Sequence, residues 1–336
     1  MADVETRLTP KEAKTLIFEA LTGAGTDLDN ARYFTEAILD TELSGLEGHG
    51  FYWLQFYCEH LKSGKVDGRA RPKIEELSPV SFRVDAKRGF AHPAIEQGFK
   101  KLVPAAQGFG IAGMAVHNSY NAATLGFHTG LLAKQGLLAF GFTNSVPAMA
   151  PPGGRKPMIG TNPMSFAVPG RKGKIAFLID QSSSAVAWTA VKRAAEEGRP
   201  IPLGWALDKE GQPTTDAAKG LEGSMAPSGG HKGFGQGLIV EVMCAALAGA
   251  LRGPQMGSFT ENDGKPIGCG QFFIAIAPDK FSGDTFAAQV AALAKSITSQ
   301  EGARLPNARR EANAKRLAKA GLPISTALLE RLRSFA

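Results

Sequence analysis

The chain has 336 residues, 43% of them hydrophobic and 21% charged, which is enough for a core built from two or three layers. No apolar run approaches the roughly 20 residues of a membrane-spanning helix, and the first ten residues lack the apolar segment of a signal peptide. We therefore expect a cytoplasmic protein that does not bind membranes.

Cysteine and charge usage exclude further classes of protein. The three cysteines, Cys58, Cys244 and Cys269, are scattered and form no CxxC pair, which argues for a reducing compartment and against a metal site. Lysine and arginine outnumber aspartate and glutamate by 38 to 31, and the net charge of +7 suits anionic ligands such as dinucleotides, carboxylates or nucleic acid. A basic surface that only aids solubility is the alternative. The basic residues are spread along the chain without interleaved aromatic residues, so we expect no nucleic acid as a partner.

The N-terminal third is predicted to be helical. A capping box with proline at the first helical position begins the first helix at residues 9–12, and Gly23 ends it. A second helix is predicted over 27–43. A glycine-rich turn over 45–50 then leads into a third, strongly aromatic helix over 51–61.

From about residue 75 the pattern changes to strands that alternate with helices. The predicted strands are rich in aromatic and β-branched residues and cover 111–116, 137–142, 164–168, 175–179 and 271–277. Helices are predicted over 95–106, 286–299, 308–321 and 325–334. A further helix over 238–251 is almost continuously apolar and is expected to be buried.

A helical head and tail around a mixed centre indicate that the two ends of the chain pack together. We expect one unit made of residues 1–75, which carries His49, packed with the C-terminal helices of 284–336. Residues 76–283 then form a central α/β domain.

Gly108, Gly110 and Gly113 match the GxGxxG spelling of a dinucleotide-binding motif. That motif binds a pyrophosphate only when a strand precedes it and a helix follows, because the helix N-terminus must face the phosphates. Here the predicted helix precedes the glycines and the predicted strand follows them. The inverted order argues against a Rossmann site.

A second glycine-rich segment, residues 229–237, leads into the apolar helix. Glycines allow backbone amides to approach a phosphate, a helix N-terminus favours anions, and Lys232 adds a positive charge. The segment lacks the GK[ST] ending of a P-loop. A tight turn before a buried helix is the alternative interpretation.

His49 lies between two glycines at the start of the third helix, where a ligand can approach closely. Histidine exchanges protons near neutral pH, and the helix N-terminus is expected to lower its pKa and favour the neutral ring. A purely structural histidine is the alternative. Residues 160–163 and 180–184 place hydrogen-bonding side chains at strand ends, which alone is also typical of turns. Their occurrence together with the glycine-rich segment favours a functional site.

Five segments together resemble the malate/L-lactate dehydrogenase-like oxidoreductases, which also include ureidoglycolate, sulfolactate and diketogulonate dehydrogenases and piperideine/pyrroline-2-carboxylate reductases. The segments are 48–50 (Gly-His-Gly), 148–155, 160–163 (Gly-Thr-Asn-Pro), 229–233 (Gly-Gly-His-Lys-Gly) and 302–306 (Gly-Ala-Arg-Leu-Pro). They occur in order within residues 10–330. The resemblance implies a non-Rossmann α/β fold with a mixed, largely antiparallel central sheet flanked by helices. It also implies a homodimer and NAD(H) or NADP(H) as cofactor, held by the central domain.

The resemblance assigns roles by position. His49 corresponds to the proton donor of the family, and Trp53 and Thr161 stand at substrate contacts. The implied cofactor contacts are Asn121, Ala122, Ala123, Thr124, Leu125, Asp180, Gln181, Ser182, His231, Lys232, Leu305, Asn307, Arg309 and Arg310.

The chain departs from the family pattern around the substrate. Many relatives have an arginine where Trp53 stands, a serine where Gly48 stands, and paired histidines where Tyr120 and Asn121 stand. A lysine, or an aspartate in imino-acid reductases, is expected in place of Ala190. An aromatic wall without an obvious carboxylate clamp leads to the hypothesis of a bulkier or less acidic substrate.

These residues predict an NAD(P)H-dependent oxidoreductase that transfers hydride between nicotinamide and a small 2-oxo or 2-hydroxy acid. One alternative is a cyclic ketimine reductase, which Ala190 weakens because an aspartate is expected there. The other is a nucleotide-binding member of the family with altered or lost catalysis. In each case the expected partner is a small molecule.

Overall fold

The computed structural model describes residues 5–46, 48–262 and 265–336, so Glu47 of the predicted turn and residues 1–4 of the first predicted unit lie outside the described residues. Elements are numbered in chain order. The helices are α1 Pro10–Gly23, α2 Leu28–Leu43, α3 Phe51–Lys62, α4 Ala91–Phe109, α5 Leu125–Lys134, α6 Trp188–Glu196, α7 Ala217–Glu222, α8 His231–Glu241, α9 Asp279–Ser282, α10 Phe286–Thr298, α11 Ala308–Ala320 and α12 Thr326–Arg333. The strands are β1 Glu5–Leu8, β2 Lys73–Ser78, β3 Ser81–Asp85, β4 Ile111–Ser119, β5 Leu138–Thr143, β6 Met164–Pro169, β7 Ile175–Gln181, β8 Ala206–Leu207, β9 Pro213–Thr214, β10 Ser224–Met225, β11 Cys269–Ile276 and β12 Leu322–Ser325.

The largest sheet in the described residues has seven strands in the order β2-β3-β4-β11-β5-β6-β7. Only β3 and β4 run parallel, and every other neighbouring pair is antiparallel. The five strands predicted from the sequence all lie in this sheet, with ends displaced by a few residues. The predicted α/β class, with a mixed and largely antiparallel sheet flanked by helices, is therefore confirmed.

The GxGxxG spelling marks the junction between a helix and a strand. Helix α4 ends at Phe109, Gly110 follows with a φ of 93°, and β4 begins at Ile111. The Gly110 N–H donates to the Ala106 carbonyl, as expected of a glycine that terminates a helix in a conformation other residues rarely adopt. The inverted order is thus confirmed, and the motif here ends a helix.

Helices α4 and α5 cover one face of the sheet. Their apolar side chains join those of β3, β4 and β11 in one buried cluster that includes Leu102, Met114, Leu125 and Phe273. Gly98 lies where α4 is closest to β4, and a Cβ at this position would lie 2.1 Å from Met114 Sδ. The close packing of helix on sheet therefore requires glycine there.

The two ends of the chain lie side by side. The predicted capping box is present, because the Thr9 hydroxyl accepts from the Glu12 N–H and the Glu12 carboxylate accepts from the Thr9 N–H. Strand β1 pairs antiparallel with β12, and helices α1, α2 and α3 share a buried cluster with α12. The division into a unit of residues 1–75 with 284–336 and a central domain of 76–283 remains a prediction.

The expectation of a buried helix over 238–251 was wrong. Helix α8 begins earlier, at His231, and continues as a π-helical segment, Val242–Leu247. Leu238, Ile239, Val242 and Leu247 are about half exposed or more, at 47%, 61%, 52% and 58%. An apolar run indicates that a surface avoids water, but it does not indicate whether the same chain covers that surface. Among the described residues, no helix combines the length and apolar character needed to cross a membrane.

Substitution of Gly98 tests the packing of α4 on the sheet. Gly98→Ala is expected to lower the free energy of unfolding by about 1–3 kcal/mol, because the added methyl group overlaps Met114. Gly108→Ala in the same helix meets no heavy atom within 4 Å and should be neutral or stabilising by up to about 1 kcal/mol. Urea denaturation of both variants measures the difference, and equal midpoints would contradict this packing.

Candidate active site

One cavity of about 440 Å³ lies where the N-terminal helices meet one edge of the central sheet. The start of α3, the segments that follow β4, β5 and β7, and one residue of α11 form its walls. Residues predicted to act in the site line it as follows: His49, Trp53, Asn121, Ala122, Ala123, Thr124, Leu125, Thr161, Asp180, Gln181, Ser182 and Arg310. Residues distant in sequence therefore share a single volume.

His49 is held at the N-terminus of α3 by a close contact with α2. The buried Glu42 carboxylate accepts a hydrogen bond from the Phe51 N–H, and the His49 N–H donates to the Leu46 carbonyl at 2.8 Å. A Cβ on Gly50 would lie 1.9 Å from Glu42 Oε1. Glycine after His49 therefore allows the carboxylate to reach the first turn of α3, where a negative charge is favourable.

The environment of His49 favours its neutral ring. Burial lowers the pKa of His49, the nearby Asp180 carboxylate raises it, and the Arg310 guanidinium lowers it. The predicted direction of the shift agrees, but its main cause is burial rather than the helix N-terminus. Small changes in the two neighbouring charges therefore act directly on the protonation of this ring.

Asp180 and Arg310 form an ion pair that joins β7 to α11. Arg310 Nη1 donates to Asp180 Oδ2 at 2.8 Å, and Nη2 donates to the Asp180 carbonyl at 3.2 Å. The Asp180 side chain is only 7% exposed, so little water reaches its charge. A Cβ on Gly126 would lie 2.9 Å from Asp180 Oδ2, so glycine lets the first turn of α5 reach this carboxylate.

The segment that follows β4 is fixed from two sides at the cavity wall. Asn121 Oδ1 accepts from the Tyr57 hydroxyl and from the Ala123 N–H, each at 3.2 Å, and Ala123 adopts a φ of 49°. The hydroxyls of Thr124 and Thr41 are hydrogen-bonded at 2.8 Å, which ties the segment to α2. Thr124 precedes α5 and does not cap it through its side chain, although the Thr124 carbonyl accepts from the Phe127 N–H at 3.2 Å.

In the Gly-Thr-Asn-Pro segment, one residue lines the cavity and the next is buried in the surrounding structure. Thr161 lines the cavity, whereas Asn162 is fully buried with a φ of 39°. Asn162 Nδ2 donates to the Gly237 carbonyl at 3.0 Å and to Glu241 Oε2 at 2.8 Å, and its Oδ1 accepts from the Ser145 N–H at 3.1 Å. Asn162 therefore attaches α8 to the cavity wall.

Five of the predicted cofactor contacts lie outside this cavity. They are two exposed residues that begin α8, two half-buried residues just before α11, and one exposed residue of α11: His231, Lys232, Leu305, Asn307 and Arg309. Gly233 in the same glycine-rich segment is a packing position, because a Cβ there would lie 2.3 Å from the Ser228 carbonyl oxygen.

Several cavity residues were not predicted. They come from the middle of α3, from the last residue of β5 and the segment that follows it, and from the segment before β11: Tyr57, Thr143, Asn144, Ser145, Val146, Pro147, Ser258, Phe259 and Thr260. The buried Lys65 amine donates to the carbonyls of Ser258 and Glu261, both at 2.6 Å, and so anchors the last of these segments. No local motif marks them, because they reach the cavity only through tertiary contacts.

An aromatic wall closes the cavity on the side of α3. Trp53 is buried and makes an edge contact with Phe259, with ring centroids 6.1 Å apart, and Trp188 lines the same space. Arg310 is the one lysine or arginine side chain among the residues that line the cavity in the described part of the chain. In the part of the chain that the structure describes, no group of three or more His, Cys, Asp or Glu side chains could hold a metal ion.

Comparison with known proteins identifies the class. A model of the malate/L-lactate dehydrogenase family matches residues 8–333. The chain is 40% identical over 326 residues to a (2R)-3-sulfolactate dehydrogenase (NADP(+)) of Chromohalobacter salexigens, and the match covers 97% of each of the two chains. It is 35% identical over 338 residues to a Delta(1)-pyrroline-2-carboxylate reductase of Ancylobacter novellus, covering 99% of this chain and 98% of the relative. The crystal structure of delta1-piperideine-2-carboxylate reductase from Pseudomonas syringae pv. tomato matches with a TM-score of 0.92 at 32% identity, covering 98% of this chain and 100% of that one.

The chain belongs to the malate/L-lactate dehydrogenase family. The predicted family and the prediction of an oxidoreductase are confirmed, and so is the prediction of an NAD(P)(H) cofactor, which the name of the first relative gives as NADP(+). The relatives carry the names of active dehydrogenases and reductases, and nothing in the comparison favours lost catalysis.

Proposed function

We propose that the chain catalyses NAD(P)H-dependent hydride transfer to a small 2-oxo acid, and the reverse reaction, with His49 as the proton donor. The observation that supports this most directly is that His49 shares one cavity with Thr161, Asp180 and the segment 121–125. The name of the 40% identical relative, a sulfolactate dehydrogenase, supports a hydroxy acid as the reduced substrate.

The size of the cavity and its polar groups support a nucleotide as the ligand. A volume of about 440 Å³ lies within the usual range for ligand pockets, roughly 300–1,000 Å³. The Leu125 N–H and Gly126 N–H at the start of α5, which the Thr124 side chain does not cap, and the Arg310 guanidinium are suited to phosphate groups. We assign Asn121 to Leu125, Asp180 to Ser182 and Arg310 to the nucleotide.

In the proposed reaction, each residue of the site has a separate role. A bound nicotinamide would supply the hydride that reduces the carbonyl carbon of the substrate. His49 donates a proton to the carbonyl oxygen in reduction and accepts it from the hydroxyl in oxidation. Thr161 donates a hydrogen bond that orients the substrate, and the buried wall around Trp53 excludes water from the reacting atoms.

Loss of His49 should separate chemistry from nucleotide binding. His49→Asn is expected to lower kcat by about 10²–10⁴-fold, because the positioned acid is lost, while the Kd for NADPH changes little. In reduction, wild-type kcat/KM should fall as the pH rises through the pKa of His49, which burial places below its ordinary value of 6.5. Oxidation of NADPH and NADH at 340 nm measures kcat and kcat/KM, and calorimetry measures the Kd for NADPH. His117→Asn, outside the cavity, is the control. Equal losses of kcat and nucleotide affinity would indicate a structural role.

A cyclic ketimine reductase is the second candidate function. The 35% identical relative is named as a Delta(1)-pyrroline-2-carboxylate reductase, and the 32% identical structure as a delta1-piperideine-2-carboxylate reductase. Trp53, Trp188 and Phe259 offer apolar surface to a ring. His49 would then donate its proton to a ring nitrogen instead of an oxygen.

Trp53→Arg tests the shape of the substrate site. An arginine at this position would offer a bidentate partner to a substrate carboxylate, which the aromatic wall lacks. We expect higher kcat/KM for pyruvate and oxaloacetate and lower kcat/KM for the cyclic imines. Trp53→Phe is the matched control, since it keeps the wall without adding charge. Unchanged preference in Trp53→Arg would contradict a role of Trp53 in substrate selection.

We further propose a homodimer that acts in the cytoplasm. The exposed apolar residues of α8 and its extension adjoin a sheet face that carries the half-buried Phe140, Phe166 and Ile274. An exposed apolar surface of this kind is typical of an interface, and a second copy of the chain would cover it. The free, buried cysteines are compatible with a reducing compartment.

Charges introduced on α8 should dissociate the dimer. We expect the wild-type chain to sediment at twice its mass of 35.4 kDa, and the double variant Ile239→Glu/Val242→Glu to sediment as a monomer because the carboxylates cannot be desolvated at low cost. Leu203→Glu, at an equally exposed apolar position in a loop, is the control and should stay dimeric. A monomeric wild-type chain would contradict the proposed interface.

A further inference from the structure

A second cavity of about 400 Å³ lies between α2, α4 and α5. It shares no lining residue with the candidate active site, so it is a separate volume. Its size is within the range of small-molecule sites. Neither the sequence motifs nor the proposed reaction uses it.

The floor of this cavity contains a buried histidine without hydrogen-bond partners. His92 is 2% exposed, and neither its Nδ1 nor its Nε2 has a partner within the described part of the chain. The ring stacks on Phe34, with centroids 4.1 Å apart, which fixes its orientation. Burial lowers the pKa of His92 well below its ordinary value, so the neutral ring offers one donor and one acceptor. Buried polar groups are almost always paired, and a ligand would supply the missing partner.

A second histidine connects the cavity to the nucleotide segment. His128 lines the cavity, its ring centroid lies 5.1 Å from that of His92, and its Nε2 is hydrogen-bonded to the Ala122 carbonyl at 3.1 Å. Ala122 lines the candidate active site. A ligand that contacts the imidazole of His128 therefore acts on a residue assigned to nucleotide binding.

The walls and the rim define the chemistry of the ligand. Leu39, Ile95, Phe99, Phe127 and Leu131 present apolar surface to the interior. The charged groups at the rim are Glu36, Asp40, Glu96 and Lys134, and Glu36 is paired with Lys14. The positive charges of Lys134 and Arg310 act on the Asp40 carboxylate. Among the described residues, Glu96 is the rim carboxylate that forms no ion pair and has no cation acting on it, and it favours a cation at this side of the cavity.

We propose that this cavity binds a small amphipathic organic cation: an apolar ring between α4 and α5, a neutral polar group on His92 and an ammonium group near Glu96. Because His128 contacts both sites, occupancy of this cavity changes the affinity for the nucleotide. The binding of the cation is independent of the proposed function, whereas the effect on nucleotide affinity rests on it.

Tyramine is a suitable probe because it combines an aromatic ring, a hydroxyl and an ammonium group. Calorimetry on the nucleotide-free, full-length protein should show one tyramine bound per chain, and no binding of 4-hydroxyphenylacetate, which carries a carboxylate instead. Glu96→Gln should weaken tyramine binding about three- to tenfold through loss of one charge. Glu76→Gln, an exposed carboxylate on β2 outside the cavity, is the matched control and should bind normally.

Leu131→Trp should abolish tyramine binding, because the larger side chain fills the cavity. If that variant does not fold, His92→Phe keeps the stack on Phe34 and removes only the polar group, and it should weaken binding. In wild-type protein, ¹⁵N NMR of the imidazole nitrogens should show a shift of His92 on tyramine addition. No binding of tyramine at millimolar concentration, or binding unaffected by all these variants, would overturn the proposal. A Leu131→Trp variant that changes only the oligomeric state would also overturn the proposal, because a second copy of the chain, and not a small molecule, would then cover the cavity.

The coupling is measured by the Kd for NADPH with and without saturating tyramine. The proposal predicts a change in this Kd and an equal change in the Kd for tyramine when NADPH is saturating. Tyramine binding without any change in the Kd for NADPH would overturn the coupling through His128. Failure of NADPH to bind at all would instead contradict the proposed function, and calorimetry without nucleotide would still decide the tyramine site.

Discussion

The ion pair between Asp180 and Arg310 joins the last residues of β7 to the first turn of α11, and the candidate active site depends on it. Both side chains line the cavity, and their opposite charges act in opposite directions on the pKa of His49. The Asp180 side chain is 7% exposed and that of Arg310 is 23% exposed, so loss of Arg310 would leave a largely buried carboxylate without its ion-pair partner, which is unfavourable. The pair therefore connects the sheet, the C-terminal helices and the electrostatics of the proposed proton donor.

Three glycines allow close contacts in and near the candidate site. A Cβ at Gly50, Gly126 or Gly233 would lie within 3 Å of Glu42, Asp180 and the Ser228 backbone, respectively. Such distances are shorter than carbon contacts in packed proteins, so another residue would displace the Glu42 or Asp180 side chain or, at Gly233, the neighbouring backbone. Two of the three belong to the segments that carry the family resemblance, which explains why motif positions include residues that touch no ligand.

Much of the fold and of the site could be predicted from the sequence because the informative signals were local. Alternating strands, the capping box at Thr9 and the inverted order around Gly110 each depend on a few neighbouring residues. The surroundings of α8 could not be predicted, since apolar character does not specify which chain provides the cover. Phe259 and Ser145 were missed because distant contacts bring their segments to the cavity: Lys65 donates to the Ser258 carbonyl, and the Ser145 N–H donates to Asn162.

The central claim is that one cavity delivers both a hydride and a proton to a single substrate. The most direct measurement is the fate of deuterium from NADPH that carries deuterium at both C4 positions, with 2-oxo acids and cyclic imines as acceptors and mass spectrometry of the products. We expect deuterium at C2 of the hydroxy acid or cyclic amino acid formed, with a primary isotope effect on the hydride-transfer step. Oxidation of the labelled cofactor without deuterium in the product would contradict it.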